Sequence, residues 1–136
     1  MSVAQLTVSQ WEGGTVRNEI VSNPTWSQVE GAVRQLDNVR FNDLYLQPDA
    51  GNSETYLCVG GGGGRYVLAG VLAGDRFPTL VDPRRPPEPA ELLRVGGQEG
   101  DYPANVVHDL DTTLEAVHAF WSSGSFDGPG LHWQEL

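Results

Sequence analysis

Residues 55–72, TYLCVGGGGGRYVLAGVL, decide the fold class. Two short apolar runs, 56–59 and 66–72, are rich in Val, Leu and Tyr, and five consecutive glycines separate them. Runs of that length and composition read as strands. A tight glycine turn joins antiparallel neighbours, whereas a parallel pair needs a crossover of about a dozen residues or more. Strand passing directly into strand therefore argues against the alternating order of a doubly wound sheet. The glycines also fail as a phosphate loop. That motif ends in Lys followed by Ser or Thr and opens a helix, whereas Arg65-Tyr66-Val67 opens an apolar strand.

Working outward towards the N-terminus, residues 39–47, VRFNDLYLQ, form an irregular run with strand composition. Before them lies NPTWSQVEGAVRQLD, residues 23–37, the clearest helix. Thr25 with Gln28 makes a capping box, and Trp26, Val29, Val33 and Leu36 recur on one apolar stripe. Glu30 reaches Arg34 at i,i+4, and Asp37-Asn38 ends the helix with turn chemistry. At the start of the chain, Leu6 and Val8 alternate with Thr7 and Ser9. The turn at Gly13-Gly14 then predicts a half-buried hairpin with residues 15–21.

Towards the C-terminus, RFPTLVD (76–82) and ELLRVGG (91–97) read as strands. Four prolines within residues 83–89 make the segment between them an exposed loop. ANVVHDL (104–110), with His108 on a strand, is a last apolar run before a second helix, TTLEAVHAFWSSG (112–124). There Thr112 with Glu115 offers a capping box, Leu114, Val117, Phe120 and Trp121 make the buried stripe, and Gly124 terminates. A short apolar patch, Leu131 with Trp133, closes the chain. The expectation is one α+β domain over residues 1–136. It has a mainly antiparallel twisted sheet of six or seven strands, with two helices packed against it.

Eight arginines, no lysine and eighteen acids leave a net charge of −10. Gripping phosphate backbones or anionic lipid requires the opposite sign. Residues 1–85 hold nine acids and seven arginines, a net of −2; residues 86–136 hold nine acids and only Arg94, a net of −8. Acids mixed with Tyr102, Trp121, Phe126 and Trp133 suit a protein-binding surface, where aromatics anchor and charge steers. No run reaches the roughly 18 apolar residues of a membrane span, and no signal-type leader opens the sequence, so the expected address is the cytoplasm.

Cys58 reads as a small buried hydrophobe, with a reactive thiol as the alternative. His108, His118 and His132 lack metal-ligand spacing, and no cofactor motif appears. Asp109, Asp111 and Glu115 suit a helix N-terminus, where acids are favourable. Asp109 or Asp111 could instead work with His108 in a small hydrolase or transferase.

The order of segments carries more. Pro24-Thr25-Trp26, then residues 62–67, Leu80-Val81-Asp82-Pro83, Gly96-Gly97-Gln98 with Tyr102-Pro103, residues 107–110, Ala116, Phe120, Leu131 and Trp133 together resemble the Imm1 family of bacterial immunity proteins. The resemblance covers residues 5–135 and is densest over 96–122. It implies a non-enzymatic cytoplasmic α+β protein that binds and neutralises a polymorphic toxin, often a nucleic-acid deaminase, by covering its active site. The expected partner is a basic toxin domain, with no direct contact to nucleic acid or membrane, and the free protein is expected to be monomeric. The residues expected to meet the toxin are Glu99, Asp101, Asp109, Asp111 and Glu115, with Tyr102 or Trp133 as a desolvated anchor. A scaffold that self-associates through its sheet edge is the remaining reading.

Overall fold

The computed structural model describes residues 3–135. A hairpin of β1 (Gln5–Glu12) and β2 (Thr15–Ser22) leads into α1 (Trp26–Gln35), followed by β3 (Asp43–Gln47), β4 (Tyr56–Gly62), β5 (Arg65–Val71) and β6 (Pro78–Leu80). A second hairpin, β7 (Glu91–Val95) with β8 (Gln98–Tyr102), passes through a 3-10 turn at Ala104–Val106 into α2 (Leu110–Ser123). Strand β9 (Trp133–Glu135) ends the described chain. Seven strands form one antiparallel sheet in the order β2-β1-β3-β4-β5-β6-β9, while β7 and β8 pair with each other. The fold is α+β, and the glycine hairpin closes in register from Tyr56↔Val71 to Gly62↔Arg65.

Strand alternation gives the sheet two different sides. Leu6, Leu44, Leu46, Leu57, Val59 and Leu68 turn towards the helices and pack with Val29, Val33, Ala116, Val117 and Phe120 in the main core. Phe120 is fully buried there, and truncating such a side chain to Ala typically costs about 3–5 kcal/mol. The opposite side carries Thr7, Ser9, Trp11, Asp43, Tyr45, Tyr56 and Cys58, and no helix among the described residues covers it.

The first helix forms as its sequence predicts. Thr25 accepts from the Gln28 N–H at 3.2 Å, and the Gln28 side chain accepts from the Thr25 N–H at 2.9 Å. Arg34 bonds Glu30 at 3.2 Å. The second helix starts earlier than expected. Asp109 is its N-cap and accepts from the Thr112 N–H at 2.8 Å, so the Thr112/Glu115 capping box does not form. An ionised carboxylate caps more strongly than a hydroxyl because it also answers the positive end of the helix dipole. Gly124 ends the helix at φ +73.

Two further expectations shift. The run at 104–110 makes the 3-10 turn and a single bridge, Tyr66↔His108, rather than a strand. The polar stretch Gln98–Tyr102 is strand β8, paired along β7 from Glu91↔Tyr102 to Val95↔Gln98. In addition, β2 is almost wholly exposed, because it is the edge of the sheet. Among the described residues no helix is long and apolar enough to cross a membrane.

Candidate protein-binding surface

The β7–β8 hairpin lies across the open side of the sheet at the end near Gly60 and Trp11. Two glycines permit this approach. A Cβ on Gly60 would sit 2.5 Å from a Val95 methyl, and one on Gly97 would sit 2.6 Å from the Trp11 ring. Gly97 also holds φ +79, which disfavours any side chain. Two asparagines fix the position: Asn38 accepts from the Arg94 N–H at 2.6 Å, and Asn42 from the Gly97 N–H at 3.0 Å. Underneath, Leu93, Val67, Val107 and the half-buried Tyr102 form a second small core. Burial raises the Tyr102 phenol pKa above its usual 10.0, with Cys58 adding to the shift.

The register of the hairpin sets what faces outward. Leu93, Val95 and Tyr102 point to the sheet, so their alternates Leu92, Arg94, Glu99 and Asp101 point to solvent. Leu92 is 52% exposed, opposite Asp101, while Glu99 stands opposite Arg94 at 3.9 Å.

The part of the open side that the hairpin leaves bare is a trough of about 420 Å³. Its lining includes Thr7, Trp11, Val16, Asp43, Tyr45 and Tyr56. Asp43 is buried on its floor at 2% exposure. The Trp11 indole donates to one carboxylate oxygen at 2.8 Å, and the Tyr45 hydroxyl donates to the other at 2.7 Å. Tyr45 and Tyr56 meet edge to face at 5.9 Å. Burial, with Cys58 and Asp43 alongside, raises the Tyr45 phenol pKa and keeps its proton in place. The Cys58 thiol is pushed up to about 12, mainly by burial and then by the Asp43 charge, with the Tyr45 hydrogen bond acting in the opposite sense. Such a thiol stays protonated and is a poor nucleophile.

The seven residues singled out from the sequence occupy three places rather than one. Glu99 and Asp101 are on the outer hairpin, and Tyr102 is beneath it. Asp109, Asp111 and Glu115 belong to the start of α2, on the other side of the sheet, with Asp109 engaged as the cap. Trp133 lies on β9 against Phe126, ring centroids 5.1 Å apart, and helps close the main core. His108 is buried, and its Nε2 faces the Leu80 carbonyl at 2.8 Å, which requires the nitrogen to donate. His108 and Asp109 are thus both held in structural bonds, to the Leu80 carbonyl and the Thr112 N–H. Among the described residues, no three His, Cys, Asp or Glu side chains gather as a metal site. Sequence reasoning missed Trp11, Asp43, Tyr45 and Tyr56. The signal was the alternation of Asp43, Tyr45 and Gln47 with Leu44 and Leu46, which marks a second, polar face on a central strand.

Charge pairing completes the surface. Seven of the eight arginines form ion pairs, with Glu12, Glu30, Asp82, Glu91, Glu99 and Glu135 as their acids. Exposed pairs of this kind contribute little stability, but they cancel positive charge locally. Among the described residues, Arg17 alone of the arginines and twelve of the eighteen acids stand outside any ion pair.

Comparison with curated proteins and with solved structures finds no match. The family model described as Immunity protein Imm1 matches residues 17–135, from the middle of the first hairpin to the last described strand. The chain belongs to the Imm1 family of immunity proteins.

Proposed function

We propose that the protein neutralises a cognate toxin by binding it one to one in the cytoplasm. We further propose that the toxin is a basic nucleic-acid deaminase domain whose active site the complex covers. The observation that supports this most is the unbalanced charge: twelve acids outside ion pairs against one arginine. An enzyme that works on DNA or RNA needs a positive cleft, and an anionic protein can occupy it as the phosphates would. Electrostatic steering of that kind lifts association well above the neutral range of roughly 10⁵–10⁶ M⁻¹s⁻¹, which suits an inhibitor that must arrive before the damage.

Asp101, outside any ion pair and opposite the exposed Leu92, is the leading contact acid in this proposal, and Glu99, paired with Arg94 at 3.9 Å, shares its outer face. Asp111 and Glu115 add to the field from the helical side. Asp109 is kept for its cap, and Tyr102 and Trp133 for the packing they provide. The free protein is a monomer awaiting its partner. The test is charge reversal, measured as association rate with the cognate toxin domain. Glu99→Lys with Asp101→Lys is expected to slow association at least about tenfold. Asp111→Lys with Glu115→Lys should slow it less. An unchanged rate in the first pair would remove the hairpin from the interface.

A further inference from the structure

We infer that the trough beside the hairpin receives an arginine side chain of the partner protein, its guanidinium reaching the Asp43 carboxylate alongside the packed Tyr45–Tyr56 pair. This site deepens the proposed function and rests on the partner being a basic protein. The starting point is an unbalanced buried charge. Asp43 is 2% exposed, and each of its oxygens has one neutral donor, the Trp11 indole or the Tyr45 hydroxyl. A carboxylate has about four acceptor positions, so acceptor capacity remains. A carboxylate removed from water is costly to hold unless a cation answers it.

None of the seven ion pairs involves Asp43. Arg17 does not serve either. It stands opposite Gln10 on β1, among the residues that line a separate groove on the helix side of the β1–β2 hairpin. A cation that pairs with Asp43 would therefore come from outside the described chain.

The lining selects arginine. Guanidinium is planar, weakly hydrated and forked, so it can bond a carboxylate while lying against aromatic faces. Tyr45 and Tyr56 supply those faces, and the trough has room for a long side chain. Along its rim, Val16 and Ile20 on β2 are 40% and 61% exposed on the same side of the sheet. Apolar residues placed there would exclude water from the seated cation. The raised pKa of Tyr45 keeps its hydroxyl a donor, which holds the Asp43 carboxylate in a fixed orientation.

The probe is Nα-acetyl-arginine N-methylamide, with the neutral citrulline analogue as control. Each is titrated into the full chain near neutral pH while the Trp11 indole N–H resonance is followed. A saturable shift with the arginine probe is expected, and none with citrulline. Asp43→Asn should weaken the arginine response at least about tenfold, equivalent to 1.4 kcal/mol. Tyr56→Ala, which leaves the Trp11–Asp43–Tyr45 bonds in place, should weaken it as well and serves if Asp43→Asn does not fold. No saturable shift, an equal response to citrulline, or unchanged binding in both variants would overturn the site. A shift of the same resonance on concentrating the protein alone would overturn it too, by making a second copy the occupant. The two readings separate cleanly. A toxin that fails to bind a chain which still binds arginine contradicts the immunity reading alone.

Discussion

His108 and Asp109 are adjacent, and the fold shifts both pKa values downward for different reasons. Burial lowers His108 below 6.5, against the Leu80 carbonyl, Asp82 and Asp109, which favour its charged form, while Arg85 reinforces the lowering. Asp109 is lowered by the Thr112 N–H that it caps. For the histidine, the unfolded chain binds the proton more readily than the folded one, so stability falls as pH drops below about 6.5. Melting temperature should therefore decline between about pH 7.5 and 5.5, and the decline should shrink in His108→Gln, which keeps a donor for Leu80 without titrating there. An equal decline in both proteins would place the titration elsewhere. Asp109 acts in the opposite sense: its contribution is present above its usual 3.8 and is lost as pH falls through the lowered value.

At the scale of elements, the β7–β8 hairpin depends on the glycine beneath it. Gly60→Ala puts a methyl against Val95 and should lift the hairpin, costing about 1–3 kcal/mol by overpacking. Urea denaturation checks this, and Gly14→Ala, where a Cβ meets nothing within 4 Å, is the control. A change no larger than the control's would show that the hairpin adapts freely. The same element shows how far the sequence could be read. Strands β4 and β5 and helix α1 were legible because local composition, turn and cap all agree there. Strand β8 was not, because Gln98–Tyr102 is polar on its outer face and its inner positions include Gly100, which leaves no apolar alternation to detect. Nor could spacing show that Asn38 and Asn42 would reach across more than fifty residues to hold that hairpin. The start of α2 was misplaced by a local competition, in which Asp109 outranked Thr112 as the cap.

For the whole molecule, the split of charge along the sequence does not correspond to a single face. Glu99 and Asp101 project from the hairpin on one side of the sheet, while Asp111 and Glu115 belong to the helix on the other. Ion pairing sharpens the imbalance instead: nearly every arginine is answered within the chain, so the remaining field is anionic on both sides. The trough with Asp43 was invisible in that arithmetic, since its acid lies in the nearly neutral first part of the chain. The immunity reading is tested most directly by titrating the cognate toxin domain with this protein and recording residual toxin activity. Activity should fall linearly to zero at one equivalent, with an association rate that drops steeply as salt is raised from about 50 to about 500 mM. Full toxin activity at several equivalents would contradict it, and so would complete inactivation by a small fraction of an equivalent, which would mark the protein as an enzyme.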